Sequence, residues 1–276
     1  MKYRICVDSS SNLLSNHIID SEVGFNVIPL TIRVGKEEFV DNDELNVDDL
    51  LKEVESSKEA CTSSCPSPQD FLNHFEDSEY VICVTISQKL SGCYNSACVA
   101  RDMSNNKDNI LIIDSMLTAG AMRLIVDKAY SLIKSGKEFN QIKEELLKYR
   151  DSIQLLFVLD KFDNLVKNGR MSKVVAFIAQ LAAIKPLCYG EGGEIKIKEK
   201  VRTIKGVLKR LVHNIGLMCP VTKGRTCVIS HTQNKESALL LKALIEEEYE
   251  FDSIIVEDNR GLCAFYALSG GLLVSF

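Results

Sequence analysis

Apolar and polar positions along the chain follow two rhythms. Continuous apolar runs rich in β-branched residues at Tyr3–Val7, Tyr80–Ile86 and Asn109–Asp114 predict buried parallel strands, and Phe25–Val34 predicts a further extended segment. Between them apolar residues return every three or four positions, the spacing of one helix face. Helices are expected over Val47–Val54, opened by Asn46, and over Gln69–Glu76, with Ser67 as cap and Pro68 in the first turn. Another is expected from Tyr94 on, with Ala97 and Cys98 facing inward. Met122, Ile125, Val126, Ala129 and Ile133, closed by Gly136, mark a fourth helix, and Phe139, Ile142, Leu146 and Tyr149 a fifth. Strand–helix alternation through residue 150 predicts a parallel-sheet α/β domain over residues 1–151.

After Asp151 the rhythm changes. Ile153–Leu159 is a predicted strand, Phe162–Lys167 a helical turn, and Asn168–Ser172 a turn into a helix over Lys173–Lys185. Val174, Phe177, Ile178, Leu181 and Ile184 spread around most of that helix, as on one buried on several sides. It is either a core helix or one wall of an apolar ligand cavity. Pro186–Tyr189 and Glu194–Val201 flank a glycine-rich turn over Gly190–Gly193, a hairpin signal with Ile195, Ile197 and Val201 facing one way. Ile204, Val207, Leu208, Leu211 and Val212 give an amphipathic helix. Strands at Thr226–Ser230 and Ser253–Val256, a helix over Lys235–Tyr249 and C-terminal strands complete a second α/β domain, residues 152–276, with a mixed sheet.

Composition narrows the class. Of 276 residues 46% are apolar and 26% charged, a globular balance, and the net charge of −5 with no basic block speaks against nucleic acid as partner. No apolar run approaches the ~18 residues that cross a bilayer. The N-terminus enters a strand at once, without the apolar core of a signal peptide. A cytoplasmic protein is therefore expected, with no membrane span and at most transient membrane contact. Cys6, Cys83, Cys98, Cys188, Cys227 and Cys263 stand singly in apolar runs, where cysteine acts as a small hydrophobe. Cys61 and Cys65 are the one close pair, and no second pair or nearby His completes a zinc set. No metal or cofactor is expected.

Candidate chemistry centres on the polar loop Ser87–Gly92, which leads from an apolar strand into a helix with Ser91 as the expected N-cap. Such a loop offers a hydroxyl and free backbone N–H groups to an anion, phosphate or carboxylate; it is equally compatible with an ordinary capped turn. The same two readings apply to Asp8–Asn12, at the carboxyl end of the first strand, where α/β proteins place ligands. Cys61–Pro68, dense in hydroxyls and stiffened by two prolines, is either a rigid connection or a fixed set of donors. Ser91 is not in a G-x-S-x-G elbow, although a Ser–His pair formed across the fold, for instance with His231, stays open. Neither G-x-x-x-x-G-K-[ST] nor G-x-G-x-x-G occurs. Neutral hydroxyls beside apolar helices suit a ligand with a small anionic head and a long apolar body.

Together these motifs resemble the DegV family, the fatty-acid-binding subunits of bacterial fatty acid kinase. Val7–Ser10 is similar to the family's V-D-S-[ST], Ile28–Leu30 to its I-P-L, and Thr62–Ser67 to its T-S-x-P-S loop. Lys89–Ala97 resembles K-L-S-G-T-Y-x-S-A, its most specific run. Ile113–Ser115 with the Ala/Gly-rich helix after it, Leu165–Ser172 and Lys200–Arg202 extend the likeness along almost the whole chain.

The resemblance implies two α/β domains with one long-chain fatty acid between them. Its carboxylate would sit on the loop Thr and on Ser91 with the Gly92 N–H, and its tail along Phe177, Ile178 and Leu181. Arg170 and Arg202 would lie near the head group or face the kinase, which phosphorylates the bound acid. The chain would then present a substrate and be no enzyme itself. Three departures bear on this. The T-S-x-P-S loop has one extra residue, so the family Thr falls on Thr62 by identity or on Ser63 by alignment. Asn168 replaces a glycine, which asks whether that position needs positive φ. Tyr266 stands where the family has a His; a phenol donates a hydrogen bond but does not become cationic at neutral pH. The runner-up is an enzyme acting on a phosphorylated or acyl substrate in the same inter-domain cleft. A purely structural interaction module would leave the hydroxyl loops without purpose.

Overall fold

The computed structural model describes residues 1–171 and 184–276. Strand β1 (Tyr3–Asp8) pairs in parallel with β2 (Val23–Ile28) on one side and β6 (Tyr80–Thr85) on the other, and β6 pairs with β7 (Ile110–Asp114). The sheet order is β2-β1-β6-β7. The chain leaves β1 toward β2 but leaves β6 toward β7, so the switch point of the sheet lies at the carboxyl ends of β1 and β6. Open α/β sheets form their ligand crevice at such a point. Helices α3 (Cys93–Met103), α4 (Gly120–Lys134) and α5 (Phe139–Ser152) belong to this half.

The extended segment expected over Phe25–Val34 divides in two. Pro29 has no N–H to give a ladder, and the chain changes sheet there: β3 (Thr31–Val34) joins β4 (Glu37–Val40) and β5 (Cys61–Ser64) in a small antiparallel sheet ordered β4-β3-β5. The hydroxyl-rich stretch read as a loop from Cys61 thus begins as a strand. Asn46 caps α1 (Val47–Ser56), accepting from the Asp48 and Asp49 amides. Ser67 and Asp70 form a capping box on α2 (Pro68–Leu72), which is shorter than its pattern.

The second sheet runs β10-β9-β8-β13-β11-β12, with β8 (Leu155–Val158), β9 (Lys185–Glu191), β10 (Glu194–Val201), β11 (Thr226–His231), β12 (Ser253–Asp258) and β13 (Leu272–Ser275). Only the β11–β12 pair is parallel, so the sheet is mixed. Gly192 and Gly193, at φ of 59° and 85°, turn the β9–β10 hairpin in a conformation that strains other residues. Helix α6 (Asp163–Lys167) precedes the sheet's edge hairpin, and α7 (Ile204–Met218) and α8 (Lys235–Glu248) follow it in the chain. Where several C-terminal strands were expected, a helix, α9 (Gly261–Ala267), leads into the single strand β13. Of the helix expected over Lys173–Lys185, residues 173–183 lie outside the described ones, and Lys185 opens β9.

Period-two alternation sorts the central strands between two cores. Leu155, Phe157, Val228 and Leu273 join the large cluster shared with the parallel sheet. Their neighbours Leu156, Val158, Cys227, Ile229, Leu272 and Val274 join a smaller one with α7 and α8. A register shift in β10 between Ile197 and Glu199 breaks the single face expected there: Ile195 and Ile197 pack on the large cluster, Val201 on the small one.

Candidate functional site

The switch-point crevice opens into a cavity of about 310 Å³ between the two larger sheets. Its walls are mostly apolar, with Leu117 after β7, Phe157 on β8 and Leu273 on β13 among them. Polar side chains line it at Ser63 and Ser64 on β5, Ser91 before α3, Thr118 before α4, Arg170 after α6, Glu194 on β10 and Tyr266 on α9.

Ser63 rather than Thr62 faces this space. In the antiparallel pair β3–β5, Ser63 stands opposite the buried Ile32 and Thr62 opposite the exposed Arg33, so alternation turns Ser63 inward and leaves Thr62 in solvent. The Ser63 hydroxyl lies 2.9 Å from the Tyr266 phenol. Ser91 is not the cap of α3. That position is Gly92, and Ser91 Oγ reaches only the Cys93 amide, at 3.4 Å, and the Cys93 thiol, at 3.3 Å. An N-cap oxygen normally accepts from the second or third helical amide; the Ser91 hydroxyl is not committed in that way.

Arg170 donates from Nε to the Leu90 carbonyl at 3.0 Å and also bonds the Asn168 carbonyl, tying the turn after α6 to the Ser91 loop. Asn168 itself has φ of −91°, and Gly169, at 73°, takes the left-handed position. The Asn168 amide bridges back to the Cys61 carbonyl at 3.1 Å. The replaced glycine was therefore not needed for positive φ. Arg202, just after β10, is exposed. Expected either near the head group or facing the kinase, it is not among the described residues that line the cavity. Phe177, Ile178 and Leu181 lie outside the described residues.

The Ser91 loop is braced along its length. Ser87 Oγ donates to the Gly193 carbonyl at 2.7 Å, tying the loop to the β9–β10 hairpin, and the Gln88 amide donates to Asp114 at 3.2 Å. The Asp8 carboxylate accepts from the Ile86 amide at 2.7 Å. The hydroxyls of Ser9–Ser11 are buried and bond within the framework, Ser9 Oγ accepting from the Leu30 amide at 3.0 Å. They line no part of the cavity, so that loop supports the site without reaching it. Burial raises the Asp8 carboxyl to about 6 against the lowering effect of its hydrogen bonds, and does the same for Asp41.

No His lines the cavity among the described residues, and His231 sits with Nδ1 3.4 Å from Asp258 rather than beside Ser91. No cluster of three metal-ligating side chains occurs among the described residues. All ten cysteines are free thiols. No described helix is long and apolar enough to cross a membrane. Cys65 and Thr118, which also line the cavity, carry no signal of it in the sequence beyond their place near loop residues.

The family model described as "Uncharacterised protein, DegV family" matches residues 2–267. A DegV domain-containing protein of Streptococcus gordonii is 35% identical over 280 residues, covering 100% of this chain and 99% of that protein. Among solved structures, the fatty acid kinase (Fak) B3 protein of Streptococcus pneumoniae, loaded with linoleic acid, superposes with a TM-score of 0.94 at 32% identity, covering 100% of this chain and 99% of that one. A DegV family protein of Eubacterium eligens loaded with heptadecanoic acid gives 0.91 at 29% identity, covering 99% and 98%. One from Ruminococcus gnavus, refined with vaccenic acid, gives 0.92 at 28%, covering 100% and 99%.

Proposed function

This chain belongs to the DegV family, and on that premise we propose that it binds one long-chain fatty acid in the cavity and presents its carboxylate to a fatty acid kinase. The observation that carries the proposal is the cavity's lining: a mostly apolar space of about 310 Å³ with the hydroxyls of Ser63, Ser91 and Tyr266 among its polar groups. That is the complement of an alkyl chain ending in one small anionic group. The ligands of the similar solved structures, linoleic and heptadecanoic acids, have this shape.

A carboxylate taken out of water needs several charge-assisted donors. Here the Ser91 hydroxyl, the Gly92 N–H at the start of α3, and the Ser63–Tyr266 pair supply them, with the Arg170 guanidinium nearby. The α3 macrodipole adds attraction for the anion. Tyr266 gives a neutral donor where the family has a His, so the head group is held by hydrogen bonds and a helix end more than by a titrating cation. The chain supplies no nucleophile in this scheme. A carboxylate oxygen receives the phosphoryl group from the partner's nucleotide, and exposed Arg202 is on the surface that meets the partner. Residues 1–151 and 152–276 act as two domains with the ligand between them, in the cytoplasm.

Incubation of the loaded protein with a bacterial fatty acid kinase catalytic subunit and Mg-ATP, followed by hydroxylamine, should trap the acyl phosphate as the long-chain hydroxamate. Hydroxamate formed without the kinase subunit would favour an enzyme acting on its own substrate. None formed with it, from a protein shown to be loaded, would remove the kinase from the proposal.

A further inference from the structure

Building on the fatty-acid reading, we infer that two buried acids, Asp8 and Asp41, are positioning residues that separately set the two halves of the head-group site: Asp8 acts through the Ser91 loop and Asp41 through the helix bearing Tyr266.

Asp8 holds the Ser91 loop where it begins. One carboxylate oxygen accepts from the Ile86 amide at 2.7 Å, where the loop leaves β6. Toward the other end of the loop, the Cys93 thiol at the start of α3 is among the groups that lower the Asp8 carboxyl, and it lies 3.3 Å from Ser91 Oγ. Burial and the neighbouring Asp8 charge push the Cys93 thiol well above its usual range. The thiol therefore stays protonated, and either side chain can donate in its contact with Ser91. The other Asp8 oxygen is occupied by Ser10, through its amide at 3.1 Å and its hydroxyl. Asp8 is wholly buried and contacts no cavity; its effect on a ligand must pass through the loop.

Asp41 plays the matching part for α9. It accepts from the Leu262 amide at 2.9 Å, in the first turn of the helix, and the Ser9 hydroxyl is among the groups that lower its carboxyl. The approach is so close that a Cβ on Gly261 would meet Asp41 Oδ1 at 2.1 Å, so only glycine fits there. One turn further on, Tyr266 meets Ser63. The Ser9–Ser11 turn bonds Asp8 through Ser10, and its Ser9 is among the groups that lower the Asp41 carboxyl. The hydroxyl run after β1 is thus a footing that the two clamps share.

The test is a set of double-mutant cycles on affinity for a long-chain fatty acid such as oleate, with thermal unfolding run on every variant. In the wild-type background Ser91→Ala should weaken binding about tenfold and Tyr266→Phe about threefold. In the Asp8→Asn background, Ser91→Ala should cost less than about threefold while the Tyr266→Phe effect persists. In the Asp41→Ala background the pattern should reverse. Asparagine at position 8 keeps the shape but leaves one acceptor oxygen where there were two, so the Ile86 and Ser10 amides cannot both be satisfied. Should Asp8→Asn fail to fold, Cys93→Ala, which removes the thiol in contact with Ser91, must reduce the Ser91→Ala effect alone; should Asp41→Ala fail, Asp41→Asn takes its place. Additive effects in every background, or both effects collapsing together as the protein loosens, would overturn the inference and leave fatty-acid binding intact. A wild-type protein that binds no fatty acid would overturn both.

Discussion

The two faces of the second sheet are made by the same strands and end differently. Toward α7 and α8 the face closes: Leu211, Ile215, Leu241 and Ile245 are fully buried, and side chains from sheet and helices fill the space between. Toward the parallel sheet, alternate residues of those strands border an unfilled space of about 310 Å³. Interiors pack at crystal-like density, and a void of this size left empty costs on the order of several kcal/mol. One face is therefore a core that finishes folding by itself. The other is a core with a part missing, and an alkyl chain is the shape of the part.

That contrast can be broken most strongly from the closed side. Leu211→Ala should lower unfolding free energy by about 2–5 kcal/mol in a urea titration and leave fatty-acid affinity unchanged. A change in affinity would mean that the two faces are not independent. Leu273→Ala, on the cavity side, should cost roughly half as much stability in the ligand-free protein, because its side chain already lacks neighbours on one side. It should also weaken binding, which calorimetric titration would detect. Equal stability losses at the two leucines would argue that the cavity is not open in solution. Among the polar lining groups, Ser91→Ala should weaken binding by roughly 1–3 kcal/mol, the size of a charge-assisted hydrogen bond, with little change in stability. Unchanged affinity would place the head group elsewhere.

The smallest effect concerns pH. Asp8 and Asp41 have folded-state values raised to about 6, above the ordinary carboxylate value of 3.8, chiefly by burial. A raised value means that the protonated form is favoured in the fold. Its stabilising contribution is complete below about pH 4 and is lost as pH rises through about 6. Wild-type stability should therefore fall relative to Asp8→Asn between pH 4 and pH 6, and the difference should level off above that range. A difference that stays flat from pH 4 to pH 7 would show that Asp8 does not titrate there.

Much of this arrangement was legible in the sequence because burial leaves a compositional trace. Strands β1, β6 and β7 are covered on both faces and read as unbroken apolar runs, and the caps Asn46 and Ser67 stand where their helices begin. Parity was not legible. Whether Thr62 or Ser63 turns inward depends on the β3–β5 register, and that depends on the chain changing sheet at Pro29. The role of Asn168 was hidden likewise, since only the fold shows that Gly169 carries the positive φ. The K-V-R resemblance left Arg202 either near the head group or facing the kinase, and only the fold shows that the end of β10 leaves it exposed. The clamps on Asp8 and Asp41 join residues far apart in the chain, Asp41 to Leu262 among them, which no local pattern records.

The central claim is that an alkyl carboxylic acid completes the open core. Its most direct test is mass spectrometry of the purified protein, intact under native conditions and after denaturation and extraction. One equivalent of long-chain fatty acid should be found, released on denaturation and restored by adding oleate to delipidated protein. Protein that carries no fatty acid and takes up none when it is supplied would contradict it.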